Sequence, residues 1–91
     1  MAKIRKKIRI YKSLRAVHAQ LLDNNRVLAG KLYKFKSGQA PIKQSFDFGE
    51  DFGRLAIKFG VKKVSFDRNR FIYHGRVKSF AEGLRKVGLE F

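Results

Sequence analysis

The chain has 91 residues, with 22 Lys and Arg against 7 Asp and Glu, a formal net charge of +15 and no cysteine. That length holds one domain with a modest core, and the charge asks for a polyanionic partner, because self-repulsion on this scale opposes compaction. Excluded are a disulfide framework, a thiolate metal site, a bilayer-spanning segment and, at 13% aromatic residues, a disordered basic tail.

The N-terminus is basic but lacks the apolar core of a signal peptide, which points to a soluble intracellular protein. Ile8 and Ile10 alternate with Lys7, Arg9 and Tyr11, so a strand is predicted from about Lys6 to Lys12. Ser13–Leu14–Arg15 is a weak turn. Val17, Ala19 and Leu21 share one face of a second strand, predicted over Ala16 to Asp23. Asp23–Asn24–Asn25 is a strong turn, because Asn tolerates the left-handed region. Arg26 to Phe35 reads as a third strand weakened by Gly30, completing an antiparallel meander.

Lys36 to Ser45 holds Gly38 and the only proline, Pro41, and is predicted to be loop. From Asp47 the apolar period becomes helical, with Phe48, Phe52, Leu55, Ala56 and Phe59 on one stripe and Gly60 as the stop. Gly49 and Gly53 are costly in a helix interior and suggest a close helix–sheet approach. Val61 to Asp67 is predicted as a strand, Arg68–Asn69–Arg70 as a turn and Phe71–Ile72–Tyr73 as a short extended run. His74–Gly75 opens a second helix, with Val77, Phe80, Ala81, Leu84 and Val87 inward and Gly88 at its end. The predicted fold is α/β, a single domain ordered β-β-β-α-β-α, with helices packed on a mixed, mostly antiparallel sheet. It spans residues 1–91, and residues 1–7 form a basic arm.

Charge is unevenly placed. Residues 1–45 carry twelve Lys and Arg and a single acid, Asp23, while residues 46–91 carry ten and six. A charge run alone is usually a solvated face, but here it accompanies an intact core, which favours nucleic acid as partner. A membrane surface is disfavoured, since no strongly amphipathic Lys-rich helix with an inserting Trp or Phe is present. Aromatic and basic residues interleave at 9–12, at 31–36 and at 70–76, a spacing that suits phosphates and unpaired bases. The plainer reading puts the phenylalanines of these segments in the core.

Catalytic signals are poor. The triplets Asp47–Phe48–Gly49 and Asp51–Phe52–Gly53 match a kinase motif only by letters, and their Phe residues fit the helix stripe. Asp67 with His74 is the one pair that could serve acid–base chemistry, and no nucleophile accompanies it. No enzyme, cofactor, metal or small-molecule substrate is expected.

The segment Lys62–Arg68, then Phe71–Lys78, then Ala81 and Gly88–Phe91, resembles the C-terminal signature of the bacterial-type large-subunit ribosomal proteins of the L-eighteen family. Phe-Asp-Arg, a short spacer and Tyr-His-Gly-Arg-Val carry the resemblance most specifically. Arg9–Ser13, Val17–Asp23 and Val27–Ala29 are similar to its three first strands, with His18 where the family usually has Tyr. The resemblance implies a structural protein of the ribosome, cytoplasmic or organellar, that binds 5S rRNA and helps attach it to 23S rRNA in the central protuberance. A neighbouring 5S-binding ribosomal protein is the further implied partner. Most members carry a longer basic N-terminal extension than this sequence, and a longer loop before the first helix.

The candidate RNA-binding residues follow from charge and resemblance together. They are Lys3, Arg5, Lys6, Lys7, Arg9, Tyr11 and Lys12 of the basic arm and first strand, and Ser13, Arg15, His18 and Gln20 after it. Arg68, Arg70, Tyr73, His74, Gly75, Arg76 and Lys78 complete the set, with Arg76 expected to clamp a phosphate at the second helix start. The competing reading is a free-standing basic RNA-binding module outside the ribosome.

Overall fold

A computed structural model describes residues 6–91. The candidates Lys3 and Arg5, and most of the basic arm, lie outside the described residues. Three strands come first, β1 (Lys6–Lys12), β2 (Ala16–Asp23) and β3 (Arg26–Lys34). Helix α1 (Pro41–Lys58), strand β4 (Ser65–Asp67) and helix α2 (Arg76–Lys86) follow. The sheet order is β3-β2-β1-β4, antiparallel except for the parallel β1–β4 pair.

Alternation in β1 and β2 decides the layering. Ile8, Ile10, Val17, Ala19 and Leu21 are fully buried in one cluster with Phe48, Phe52 and Ala56 of α1 and Val77, Phe80 and Leu84 of α2. The other row of β1 and β2, Lys7, Arg9 and Tyr11 opposite Leu22, Gln20 and His18, lies outside that cluster, although Leu22 is buried. Asn24 and Asn25, at φ 51° and 73°, make the tight β2–β3 turn, which needs two successive left-handed residues.

The two helices touch through glycine. A Cβ on Gly49 would fall on the Phe80 carbonyl, and one on Gly83 on the Phe46 carbonyl and 3.0 Å from the Gly49 Cα. Gly53 faces Leu84 of α2 and the side chain of Val87 just beyond its end. The expected helix–sheet approach is therefore a helix–helix approach. At Gly49 and Gly83 the cost of glycine in a helix is offset because any side chain there would separate the two backbones.

Several features differ from the sequence reading. Helix α1 begins at Pro41, not Asp47, because proline presets the helical φ at the first turn and its missing N–H costs nothing there. The first turn carries exposed Ile42 and Lys43, so hydrophobic period could not reveal it. The strand expected over 61–67 shrinks to Ser65–Asp67. Val61 and Val64 are both buried three positions apart, which breaks alternation, and this stretch pairs with the C-terminus instead. Val64 N–H donates to the Glu90 carbonyl at 3.0 Å, and Glu90 N–H to the Lys62 carbonyl at 2.9 Å. Phe71–Tyr73 is bent rather than extended, with the His74 N–H closing onto the Ile72 carbonyl at 2.8 Å. Phe59 is exposed where α1 ends, outside the stripe assigned to it.

Candidate nucleic-acid interface

Charge divides by layer. The strands carry Lys6, Lys7, Arg9, Lys12, Arg26, Lys31 and Lys34 against two acids, Asp23 and Asp67. Asp47, Glu50, Asp51 and Glu82 sit on the helices. There Glu50 and Asp51 pair with Arg54, Glu50 also meets Lys86, and Asp47 meets Lys43. Acidic side chains thus offset cations mainly on the helical side, leaving the sheet more positive.

On the row of the sheet away from the core, β4 and β1 meet through charge. Arg9 Nε donates to Asp67 Oδ2 at 3.1 Å, and the Asn69 N–H donates to Asp67 Oδ1 at 2.8 Å. The Asn69 N–H, opposed by partial desolvation and then aided by Arg9, holds the Asp67 carboxyl below its ordinary range. Asp67 is therefore an anchor for Arg9 and for the turn at Asn69, where φ is 60°. Beside this pair the register brings Tyr11 opposite His18, with ring centroids 6.4 Å apart and planes at 27°. His18 and Gln20 stand opposite Leu32 and Gly30 of β3.

The second locus is one end of the molecule. The β1–β2 turn, the α1 N-terminus and the loop before α2 enclose an open groove. Leu14, Ile42 and Ile72 line it, all exposed, together with Phe71, Lys12, Arg70, His74 and Arg76, and no carboxylate does. Lys12 Nζ lies 5.8 Å from the Phe71 ring centre. Arg68, Arg70, Lys78 and Arg15 are exposed, as is His74. Lys6 pairs with Asp23 at 3.3 Å.

Several sequence candidates have structural duties. Arg76 Nη1 donates to the carbonyls of Ser13 and Leu14, at 3.4 and 3.2 Å, and its guanidinium lies 4.8 Å above the Phe35 ring. It binds the β1–β2 turn to α2. Ser13 closes that turn, its N–H donating to the Ala16 carbonyl at 2.9 Å. Tyr73 is half-buried, edge-on to Phe66, and its hydroxyl accepts from Arg85 Nη1 at 3.1 Å. Gly75 supplies φ 57° at the N-cap of α2. Asp67 and His74, the one pair weighed for acid–base chemistry, do not assemble as a dyad, since the Asp67 carboxylate is taken by Arg9 and Asn69.

Sequence reasoning passed over Gln44. It is buried and holds the β3–α1 loop by four bonds, accepting from the Tyr33 hydroxyl and Lys36 N–H and donating to the Lys36 and Gln39 carbonyls. A glutamine in a supposed loop gives no signal, because its partners come from the tertiary fold. Leu32 was also missed, though its alternation with Gly30 could have placed both beside Gln20 and His18.

Among the described residues no group of three or more His, Asp or Glu could hold a metal ion, and no helix is long and apolar enough to cross a membrane. Residues 2–91 match the family model for ribosomal L18 of archaea, bacteria, mitochondria and chloroplasts. The chain is 35% identical over 96 residues to the large ribosomal subunit protein uL18 of Aster yellows phytoplasma, covering 93% of this chain and 84% of that protein. It is 38% identical over 95 residues to the uL18 of Dictyoglomus thermophilum, covering 96% and 78%. It is 40% identical over 95 residues to that of Acetivibrio thermocellus, with the same coverage. These relatives are ribosomal proteins and not enzymes. The likeness spans nearly the whole chain, and the chain belongs to the ribosomal protein L18 family.

Proposed function

We propose that this protein binds 5S rRNA and helps attach it to 23S rRNA in the central protuberance, beside a second 5S-binding ribosomal protein. It is a structural constituent of the large ribosomal subunit, as its family is, and not an enzyme. The observation that carries the reading is the family match over residues 2–91. The excess of cations on the strands supports it, because phosphate neutralisation and counterion release supply the drive for such binding.

Within this reading residues 1–91 act as one rRNA-binding domain. Lys7, Lys12 and Arg15 meet backbone phosphates at and beside the sheet, and Arg68, Arg70, His74 and Lys78 do so around the loop before α2. Arg9 is held ready by Asp67, and Arg76 positions the β1–β2 turn. Lys3 and Arg5 extend the same basic sequence.

The test compares 5S rRNA with an unrelated structured RNA of equal length at one near-physiological salt. A preference of about tenfold or more is expected, with co-sedimentation on large subunits. Equal binding and no ribosome association would favour a free-standing basic module. If about 6–10 phosphates are contacted, affinity falls about 10³–10⁵-fold between 50 and 200 mM salt.

A further inference from the structure

We propose that Tyr11 and His18 form a platform on which one unpaired rRNA base stacks, and that Gly30 is bare so that the base can reach it. The proposal rests on the rRNA-binding reading and deepens it, because it names the part of the nucleic acid that this face takes. Three segments of the chain interleave aromatic and basic residues, and the fold withdraws two of them. Tyr33 is packed 5.5 Å from Phe48 and donates to Gln44, and Phe35 lies edge-on to it. Phe71 packs against the core, and Tyr73 lies against Phe66 and is bonded to Arg85. Tyr11 is the one tyrosine that is exposed, at 40%.

Its surroundings suit a base. The ring lies nearly parallel to His18 across the β1–β2 pair, on the row away from the core. Arg9 shares that row and supplies charge for the flanking phosphate. Leu32, opposite His18 and 59% exposed, adds an apolar shelf. A Cβ on Gly30 would lie 3.5 Å from His18 Nε2 and 3.8 Å from the Gln20 Cγ. These are ordinary contacts, so a Cβ fits there without displacing the strand, and any side chain it carried would occupy the space beside the histidine. Valine is in fact a better strand residue than glycine. A glycine that the fold does not require, beside the exposed Tyr11 ring and the half-buried His18 on a cationic sheet, is accounted for by the approach of a ligand. A flat heterocycle on a polyanionic chain fits both features, since every base has a π-face and cations beside it hold its phosphate.

A cross-strand ring pair that only steadies the sheet is the competing account, and RNA affinity separates the two. Wild type, Tyr11→Phe, Tyr11→Leu and Gly30→Val are titrated with 5S rRNA over a salt series. A fully paired RNA duplex of equal length and an unrelated looped RNA serve as controls. Tyr11→Phe stays within about twofold of wild type. Tyr11→Leu and Gly30→Val each lose about tenfold or more on 5S rRNA, a loss expected from one base stack. Their salt slopes do not change, because no phosphate contact is removed. On the duplex all four proteins bind alike. Thermal melting is followed alongside, and Gly30→Val, which deletes no native contact, keeps the test valid if Tyr11→Leu melts early. Unchanged affinity in a folded Gly30→Val, or an equal loss on the duplex, overturns the platform. Failure of the 5S reading shows separately, as wild-type binding that is equal for 5S rRNA and the looped control.

Discussion

Arg76 reaches back 62 positions in sequence to donate to the Leu14 carbonyl at 3.2 Å. The same guanidinium lies over the Phe35 ring. One side chain therefore joins the β1–β2 turn, the end of β3 and the start of α2. The residue that best fits a phosphate clamp by sequence is a brace for the surface around it.

Replacing Arg76 by Ala removes two partly exposed carbonyl contacts and the cation–π contact. A loss of about 1 kcal/mol is expected, since a solvated cation–π contact contributes about 0.5–1 kcal/mol and the two long, exposed carbonyl contacts share one guanidinium nitrogen and add little. For a domain of this size that lowers Tm by roughly 4–8 °C. Arg76→Lys should recover little of it, because an ammonium cannot donate and stack as a planar fork does. Amide hydrogen exchange should speed up in both variants at Ser13 and Phe35, whose N–H groups bond the Ala16 and Arg15 carbonyls across the braced turn. A phosphate clamp without a bracing role would leave melting and exchange unchanged.

Gly49→Ala and Gly83→Ala should each destabilise by about 1–3 kcal/mol, the usual cost of overpacking. This runs against intrinsic propensity, which favours Ala by about 1 kcal/mol in a helix interior. The reason is backbone, since each new methyl would fall on a carbonyl of the partner helix. Gly53→Ala meets the Val87 side chain, which can rotate, and should cost less. Urea denaturation of the three variants gives the ranking, and equal midpoints would remove the helix–helix explanation.

Gln44→Leu keeps the volume and removes the bonds. The Lys36 N–H and the Tyr33 hydroxyl then lose their partner, at a cost of about 1–3 kcal/mol for each group left unsatisfied. Gln44→Glu retains the acceptor but loses the donor to Lys36 and Gln39. Chemical denaturation should place Gln44→Leu well below wild type. Unchanged stability would mean that the loop satisfies itself.

Asp67 gives a pH dependence of known sign. Its folded-state carboxyl lies below the usual range, chiefly through the Asn69 N–H, so it binds its proton less readily than in the unfolded chain. Its contribution is full above the unfolded carboxylate value of about 3.9 and fades as pH falls through the lower folded value. Wild type should exceed Asp67→Asn in Tm at pH 6, and the two curves should converge toward pH 2. A gap that stays constant over that range would assign the difference to packing.

The order of elements was legible in the sequence because it depends on near neighbours. Period 2 in β1 and β2, period 3.6 after Asp47 and the paired Asn24–Asn25 turn each report a local backbone preference, and all three appear in the fold. The family resemblance was legible for a related reason, since Tyr73–Val77 is contiguous. The first turn of α1 was not, because Ile42 and Lys43 face solvent and leave no apolar period to read.

By itself, then, the sequence determined a basic, single-domain α/β chain and its family, since composition, periodicity and contiguous motif need no third dimension. Only the tertiary structure decided what individual side chains do. Arg76, Tyr73 and Asp67 look alike as candidates along the chain, yet each is taken up by a partner at least 12 positions away or by a local turn that the sheet fixes. Tyr11 is left facing outward because strand register puts it on the row that the helices do not cover. Availability to a ligand depends on what else occupies a side chain's surroundings, and those surroundings are assembled from distant segments.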